Sequence, residues 1–489
     1  MQAHPPTHYL RFATIVFFTT VLFRSFLPVG FWLDETISVW VTSAGIPEVL
    51  SRATQYQGQS PLYYVALWSW QGAFGSTELA LRSFSLMLLA VTFLCFFRLV
   101  RYLTTAQIAW WSTFLLGTLD PVILVLSARP YALALLFAVL SWTCLFRLVE
   151  RPTVRAAATY AVVTALLGYA HYLLLLTVFP QILIAGCKGR EALRTQAMGL
   201  LMAAALLAPT LPQLLSILAR GGELSFASVP SLAQFVAMVA PGYFVLYLVM
   251  GVSLGFLWTK GGSFRSTREY HPLLKGLGVV WLAVPLLLFL VAILGGPVLV
   301  IPRYILWIYP ALAIIGGVAL SMLHPQRAQS IALAAIFLFA TARELAREYQ
   351  VEEWREAAEY LAKHRNHERE PLLLYSGLVE NRGLPNLGDP AQMPYLNAPA
   401  SVYRVPGVVV PIPESVAAEY TSYWEGVIRP TLKGADGAWI LYLAERHVEG
   451  ELPELLREIV RYLEGKGVSA QVVPGAGQLY LLRVTPLKD

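Results

Sequence analysis

The sequence has few charged residues. Lys, Arg, Asp and Glu make up 13% of the 489 residues and apolar residues make up 57%, whereas a soluble domain averages about 25% charged residues. So low a charged fraction argues against an ordinary water-bounded surface and favours a chain that lies largely in lipid. No Asn-x-Ser/Thr sequon occurs, which is consistent with a bacterial origin.

The sequence also has few cysteines and no stretch of basic residues interleaved with aromatic ones. Cys95, Cys144 and Cys187 lie within or at the ends of apolar runs, without Cys-x-x-Cys or Cys/His spacing, which argues against zinc motifs and disulfides. The formal charge of +6 comes without a basic stripe of interleaved aromatics, so no nucleic-acid partner is expected. The composition indicates a polytopic α-helical membrane protein that contacts membrane lipids.

Apolar runs as long as a membrane span, roughly 17 to 25 residues, recur along the first two thirds of the chain. They predict about eleven transmembrane helices, although 156–187 could be divided differently around Gly168 to His171. The first run is too long for the apolar core of a signal peptide, so we expect it to be retained. The predicted spans are 9–29, 79–100, 106–126, 130–149, 156–171, 172–187, 196–216, 235–258, 276–297, 303–321 and 328–342.

Lys and Arg cluster in alternate loops, and this predicts the orientation of the chain. Cytoplasmic loops carry the excess of basic residues, so we expect a cytoplasmic N-terminus and an outside C-terminal tail in the inner (plasma) membrane of a bacterium. The loops assigned to the inside carry Arg98, Arg101, Arg147, Arg151, Arg155, Lys188, Arg190, Arg194, Lys260, Arg265, Arg268, Lys275 and Arg327.

This orientation requires that residues 30–78 lie along the outer surface. Ser60 to Gly75 is short, with polar ends, which is typical of an interfacial or re-entrant helix rather than of a span. A break at Gly45 to Pro47 divides the preceding part into two short helices. Residues 1–342 are then one transmembrane domain that includes this external loop.

The sequence changes character near Arg343. Residues Ala346 to His364 have helical periodicity and dense charge. Apolar runs of strand length follow at 372–375, 438–444 and 479–484. These elements predict a soluble, extracytoplasmic α/β domain over residues 343–489, large enough to have its own core.

With this topology, unusual polar residues collect on the outer side of the membrane. Arginine forms fork-shaped hydrogen bonds with phosphate oxygens, whereas a carboxylate can deprotonate a hydroxyl or hold a divalent metal. A phosphate-linked substrate in the outer leaflet fits both properties. The residues are Asp34, Glu35, Asp120, Arg129, His171, Arg303 and Tyr304.

Each of these residues also has a structural interpretation. Asp34 could cap the helix that follows it, and Asp120 before Pro is a common turn opener, which is the interpretation we favour there. Arg129 could extend toward lipid headgroups, His171 could be a hydrogen-bonded core histidine, and Arg303 could be an interfacial anchor. Their joint placement is what favours a site.

Several short motifs in the first two thirds of the chain resemble the GT-C superfamily of membrane glycosyltransferases. The resemblance is to the bacterial family 39-like members, related to protein O-mannosyltransferases and lipid A aminoarabinose transferase. Each motif is short, and their order along the chain matches that of the family. The motifs are LDET (33–36), QSPLYY (59–64), LALR (79–82), SARPYAL (127–133), YAHYL (169–173) and PRYILWIYPALAI (302–314).

The resemblance implies a GT-C-like glycosyltransferase whose donor is a sugar on a polyprenyl phosphate. Asp34 would be the catalytic carboxylate, with Glu35 secondary. Arg303 and Arg129 would contact the lipid phosphate. Gln59 to Tyr64, with Tyr63 among them, would shape the floor of the cavity.

Two departures from the family pattern leave metal dependence open. Many relatives have His-Pro-Pro where this chain has Gln59-Ser60-Pro61, and the second external acidic site is a single Asp120. A divalent cation (Mg or Mn) is therefore an open expectation, and no metal ligand is assigned. The acceptor, whether a lipid, a glycan or a protein, also stays open.

Two other classes of function compete with the transferase. A transporter or flippase of a lipid-linked saccharide would also place charged residues in a membrane cavity, but such proteins usually show inverted repeats and broken helices, and the sequence indicates neither. A chain with the fold but only a binding role is the third possibility. Within the transferase hypothesis, a single base at Asp34 favours inversion at the sugar carbon.

Overall fold

A computed structural model describes residues 29–56, 60–219, 228–259, 263–264, 270–346, 353–378, 384–413, 416–443, 459, 461, 463, 468–473 and 479–486. The chain divides into two compact units. The membrane unit contains Val49–Gly221 and Ala227–Arg347, and the tail unit contains Pro28–Glu48 and Glu348–Asp489. The first predicted span, 9–29, lies almost entirely outside the described residues.

Helices dominate the described part of the chain. In chain order they are α1 (Leu33–Thr42), α2 (Ile46–Tyr56), α3 (Leu62–Phe74), α4 (Glu78–Leu103), α5 (Ala106–Gly117), α6 (Asp120–Ile123), α7 (Tyr131–Glu150), α8 (Val154–Ala170), α9 (Val178–Lys188), α10 (Arg190–Leu207), α11 (Leu211–Ala219), α12 (Leu232–Val239), α13 (Gly242–Trp258), α14 (His271–Gly278), α15 (Val284–Ile293), α16 (Tyr309–Ser321), α17 (Gln326–Ala346), α18 (Trp354–His364), α19 (Leu384–Leu387), α20 (Met393–Leu396), α21 (Ala398–Val402), α22 (Thr421–Tyr423) and α23 (Arg429–Leu432). Short 3₁₀ or π turns are Leu124–Leu126, Tyr172–Thr177, Ala208–Thr210, Val279–Ala283, Leu306–Ile308, Ala418–Tyr420 and Trp424–Ile428.

Threonines set the starts of three membrane-unit helices. The side-chain oxygens of Thr77, Thr105 and Thr153 each accept a hydrogen bond from the backbone N–H three residues later. Such a cap satisfies one of the amide donors left over at a helix start and contributes about 1 kcal/mol. The caps therefore fix where α4, α5 and α8 begin.

Five described helices are long and apolar enough to cross a membrane, and the number rises to seven if each of two bent helix pairs is one span. The predicted count of about eleven is therefore not confirmed. Three further apolar helices are shorter, at Val154–Ala170, Tyr172–Lys188 and Leu306–Ser321. The five long helices are Glu78–Leu103, Tyr131–Glu150, Arg190–Ala219, Pro272–Ile293 and Gln326–Ala346.

Two predicted spans are broken. The span 106–126 turns by 77° between α5 and residues Asp120–Leu126, and the span 235–258 turns by 55° between α12 and α13. Pro121 is the second residue after the first break, and Pro241 lies within the second. Proline lacks the backbone N–H of a continuing helix, so a break is expected there. These two bends were not indicated by the sequence, and whether they lie near the membrane midplane stays open.

Glycines let α13 and α17 approach closely. A Cβ on Gly255 would lie 2.6 Å from the backbone oxygen of Ala328, and one on Gly251 would lie 2.8 Å from that of Ala332. Small residues four apart allow such backbone contact, which drives helix association in lipid. A side chain at either glycine would therefore push the two helices apart.

A buried polar network connects the four helices α7, α8, α9 and α10. The Tyr160 hydroxyl donates to Gln181 Oε1 at 2.6 Å, Gln181 Nε2 donates to Ser141 Oγ at 3.0 Å, and Gln196 Nε2 donates to the Tyr160 oxygen at 3.3 Å. Hydrogen bonds between helices in lipid contribute roughly 0.6 to 2 kcal/mol each. These residues join four neighbouring helices of the membrane unit.

The tail unit is built on a mixed sheet of five strands, which agrees with the α/β class predicted for the tail. Its strand order is β4-β3-β5-β7-β6, with β4, β3 and β5 parallel and β5, β7 and β6 antiparallel. The central strands β3 and β5 are almost wholly buried apolar runs, as expected of strands covered on both faces. The strands of the chain are β1 (Ser263–Phe264), β2 (Leu323–His324), β3 (Leu372–Tyr375), β4 (Val409–Pro411), β5 (Ala438–Leu443), β6 (Val468–Val473) and β7 (Leu479–Pro486).

A buried carboxylate, Glu370, connects the start of β3 with two other strands. It accepts hydrogen bonds from Trp439 Nε1 at 2.9 Å, from Arg483 Nη2 at 2.7 Å and from the backbone N–H of Asn366 at 3.0 Å. Although burial alone would raise it, these bonds hold the pKa of Glu370 below its ordinary value. The charged form is thus the one that the folded tail unit stabilises.

Candidate functional site

The SARPYAL motif forms a short loop that enters α7. The 3₁₀ turn Leu124–Leu126 precedes it, and Ser85 of α4 donates a hydrogen bond to the backbone oxygen of Ser127 at 2.7 Å. Arg129 is 6% exposed, and Tyr131 opens α7 and is also buried. The loop therefore holds a guanidinium group at the start of an apolar helix.

His171 lies where α8 ends. Its backbone is extended, with φ −162°, and its N–H donates to the backbone oxygen of Leu167 at 2.8 Å. The imidazole is 2% exposed, and neither ring nitrogen has a hydrogen-bond partner among the residues that the structure describes. Buried polar groups are rarely left unsatisfied, so an imidazole in this state is a candidate for contact with a ligand.

Arg303 and Tyr304 occupy the loop before α16. The N–H of Tyr304 donates to the backbone oxygen of Ile301 at 2.8 Å, and Pro302 lies inside this turn. The guanidinium carbon of Arg303 is 5.4 Å from the centre of the Tyr304 ring. That distance is within the range of a cation–π contact, which orients the arginine.

The three segments meet around His171. The centre of its ring is 5.5 Å from the centre of the Tyr131 ring and 5.7 Å from that of Tyr304. Arg129 lies two residues before Tyr131, and Arg303 directly precedes Tyr304, so both arginines belong to the segments that meet at His171. We call Arg129, Tyr131, His171, Arg303 and Tyr304 the cationic cluster.

The cationic cluster combines four predicted site residues with one that was not predicted. Two arginines supply N–H donors in a planar fork that matches phosphate oxygens. Arg129 is buried, and an electrostatic interaction is stronger away from water. Tyr131 was missed, although its place in the SARPYAL motif, two residues after Arg129, was a signal for it.

Asp120 forms a separate group with Arg343. Its carboxylate accepts two hydrogen bonds from Arg343, each at 2.5 Å, and its backbone N–H donates to the Tyr243 hydroxyl at 2.8 Å. The guanidinium carbon of Arg343 also lies 3.9 Å from the centre of the Tyr243 ring. Asp120 begins α6, which agrees with its interpretation as a turn opener, whereas the bidentate pair was not predicted. The role of Asp120 in binding substrate stays a prediction.

The residues predicted for the cavity floor are placed only in part. Tyr63 is fully buried, with its ring centre 5.5 Å from that of Tyr64 and 6.0 Å from that of Phe84. It therefore packs between α3 and α4. Gln59 lies outside the described residues.

The two adjacent carboxylates in α1 of the tail unit differ in their surroundings. Glu35 is 0% exposed and its Oε2 accepts a hydrogen bond from the backbone N–H of Trp32, the residue that caps α1, at 3.3 Å. Asp34 is the single residue of α1 that is not buried. Since the cap is Trp32, Asp34 is not the N-cap that the structural alternative assumed.

Side chains that could hold a metal do not gather in the part of the chain that the structure describes, where no group of three or more His, Cys, Asp or Glu residues is found. A bound metal usually needs at least that many protein ligands or several waters.

Comparison with solved structures identifies the fold. ArnT from Cupriavidus metallidurans matches in its apo state with a TM-score of 0.60 and 14% identity over 98% of both chains. The same protein bound to undecaprenyl phosphate matches with a TM-score of 0.59 and 15% identity over 98% of this chain and 97% of that one. An oligosaccharyltransferase from Archaeoglobus fulgidus is more distant, with a TM-score of 0.48 and 11% identity over 89% of this chain and 69% of that one.

At these identities the likeness shows the fold alone. The chain is a multi-pass membrane protein with the fold of ArnT, and the resemblance predicted from the sequence is confirmed at the level of the fold. Comparison with models of protein families and with curated proteins gives no match.

Proposed function

We propose that this protein is a glycosyltransferase that moves a sugar from a polyprenyl-phosphate donor to an acceptor at the outer face of a bacterial inner membrane. The fold is that of ArnT, which has been solved with undecaprenyl phosphate bound. The observation that carries the proposal is the cationic cluster, because it joins three of the resembling motifs in one place. The class of acceptor, lipid, glycan or protein, is left open.

The cationic cluster suits the leaving group of this reaction. Arg129 and Arg303 donate hydrogen bonds to the phosphate oxygens of the donor, where negative charge grows as the sugar departs. The imidazole of His171, which lacks a partner among the described residues, supplies a further polar contact. These groups are held in place before the reaction, so they stabilise the developing charge without reorganising.

Asp34 acts as the general base in this proposal. Its carboxylate takes the proton of an acceptor hydroxyl, the hydroxyl oxygen forms a bond to the anomeric carbon, and the bond from that carbon to the phosphate oxygen breaks. The electron pair of the broken bond stays on the polyprenyl phosphate, and the sugar carbon is inverted. Glu35 is fully buried, so the less buried Asp34 is the better base.

Purified protein in lipid nanodiscs tests the proposal. Incubation with sugar-loaded undecaprenyl phosphate and envelope extract should release undecaprenyl phosphate, measured by mass spectrometry. Asp34→Asn should lower turnover by about a hundredfold or more if a general base is lost, with unchanged expression and thermal stability. If the wild type shows no release, or if Asp34→Asn keeps near-normal turnover while Glu35→Gln loses it, the assignment of Asp34 fails.

A transporter of lipid-linked saccharide is the second candidate, because the two broken helices are a feature of transporters. The two functions differ in the fate of one covalent bond. A transporter moves the loaded lipid between leaflets and leaves the sugar–phosphate bond intact, whereas a transferase breaks it. Movement of intact donor by the Asp34→Asn variant at the wild-type rate, with no release by either protein, would favour the transporter.

A further inference from the structure

The tail unit holds the helix that carries Asp34. Every residue of α1 except Asp34 is buried, and α1 packs against α21 of the same unit. Although α1 comes near the start of the chain and α21 near its end, both belong to one compact body. The position of Asp34 therefore depends on residues about 360 positions later.

The entry to α1 is fixed by Tyr403. The backbone N–H of Phe31 donates to the Tyr403 hydroxyl oxygen at 2.6 Å, and the centres of the two rings are 6.3 Å apart. A Cβ on Gly30 would lie 3.2 Å from the Tyr403 hydroxyl oxygen and 3.3 Å from Cβ of Arg355. The backbone is thus held closely three residues before Asp34.

The far end of α1 is held by a second tyrosine. The centre of the Trp40 ring is 5.5 Å from that of Tyr395, at an angle of 55°. Both side chains are buried, at 7% and 4% exposed. Aromatic pairs in this geometry contribute beyond the area they bury. Contacts at both ends prevent α1 from rotating about its axis, which would turn Asp34 to another direction.

The backbone segment that carries Tyr403 is itself rigid. Arg404, the next residue, has a left-handed backbone with φ 53°, a conformation that persists only where surrounding structure enforces it. The N–H of Val405 donates to the backbone oxygen of Ala400 at 2.9 Å and closes the turn. Asn397 connects this segment to the sheet, since its Nδ2 donates to the backbone oxygen of Val409 in β4 at 3.1 Å.

We infer that Tyr403 is a positioning residue for Asp34, and that the tail unit serves the reaction by presenting the base. This inference rests on the proposed function for its kinetic consequence. The tyrosine touches the backbone that leads into α1, and it acts on the reacting atoms through Asp34 alone. A displacement of about 1 Å in a catalytic group can cost a hundredfold in rate, so a hydroxyl that fixes one backbone amide has a measurable effect.

The test compares Tyr403→Phe with Tyr423→Phe. The first variant keeps the ring and removes the oxygen that accepts from Phe31. The control removes a hydroxyl of the same unit that donates to the backbone oxygen of Pro411 at 2.8 Å and not to α1 or the residues that lead into it. We expect Tyr403→Phe to lower kcat about three- to tenfold while KM for the donor stays within about twofold, and the control to leave both unchanged.

Hydrogen exchange supplies a readout that does not need catalysis. Peptides covering residues 29–36 should exchange faster in Tyr403→Phe than in wild type, because the Phe31 amide has lost its acceptor. They should be unchanged in Tyr423→Phe. Unchanged exchange in Tyr403→Phe, or an equal fall in kcat for both variants, would overturn the inference. If the wild type transferred no sugar, the proposed function would fail, whereas the exchange data would still decide whether Tyr403 holds α1.

Discussion

Replacing Arg303 by lysine separates the charge of the side chain from its shape. Lysine keeps the positive charge but replaces the planar fork with a single ammonium group. The substitution also removes the contact between Arg303 and Tyr304, in which the guanidinium carbon lies 5.4 Å from the centre of the ring. The variant therefore tests whether the cationic cluster recognises phosphate by geometry or only by attraction.

The size of the effect follows from the bonds lost. A hydrogen bond to a charged group contributes about 1.5 to 3 kcal/mol, and a fork that binds two phosphate oxygens loses one such bond on becoming lysine. Since each 1.4 kcal/mol is about a factor of ten, donor affinity should fall roughly ten- to 150-fold. Arg303→Ala loses the charge as well and should bind more weakly still.

Binding of undecaprenyl phosphate to protein in nanodiscs, followed by native mass spectrometry or calorimetry, measures this effect. Arg343→Lys is the matched control, because Arg343 is engaged with Asp120 at 2.5 Å and lies outside the cationic cluster. We expect the control to lower thermal stability and to leave donor affinity within about twofold. Wild-type affinity in Arg303→Ala, or an equal loss in the control, would refute phosphate recognition by Arg303.

Three further predictions concern other parts of the chain. Asp120→Asn should lower thermal stability, and combining it with Arg343→Lys should cost less than the sum of the single changes if the ion pair is the interaction lost; additive losses would contradict the pairing. Because the pKa of Glu370 is lowered in the folded state, its stabilisation is present above the unfolded pKa of about 4.3 and is lost as pH falls through the lower folded value. Thermal unfolding of Glu370→Gln should therefore show a weaker acid dependence than wild type, and an identical pH profile would contradict this. Alkaline phosphatase fused at Asp489 should be active and a fusion at Gly189 inactive, and the reverse pattern would overturn the predicted topology.

Part of the candidate site could be predicted from the sequence. Arg129, His171 and Arg303 stand at ends of apolar runs, and a charged side chain at such a position is costly in lipid unless it serves an interaction. Apolar helices of similar length have their ends at the same depth in the membrane. Residues in every second loop therefore come to lie on the same side. The structure brings the three segments that carry these residues together around His171, whereas their placement on the outer side of the membrane stays a prediction.

Other features could not be predicted, because they depend on contacts between distant segments. The change of sequence character places Arg343 at the start of the tail, yet Arg343 pairs with Asp120 more than two hundred residues earlier. The breaks near Pro121 and Pro241 divide hydropathy windows that read as single spans, since a window averages composition and does not respond to one missing N–H. Span counts from hydropathy fail at such places.

The structure distinguishes Asp34 from Glu35, the two adjacent carboxylates that the sequence offers as candidates for the base. Successive residues on a helix point about 100° apart, so one side chain turns back to the helix start while its neighbour does not. Glu35 is fully buried and satisfies the N–H of Trp32, and removing its charge should first affect where α1 begins. Asp34 keeps its exposure on a helix that Tyr403 and Tyr395 hold from the tail unit. In the arrangement that we infer, the C-terminal part of the tail unit contributes tyrosines that touch α1, and such contacts need no catalytic motif of their own.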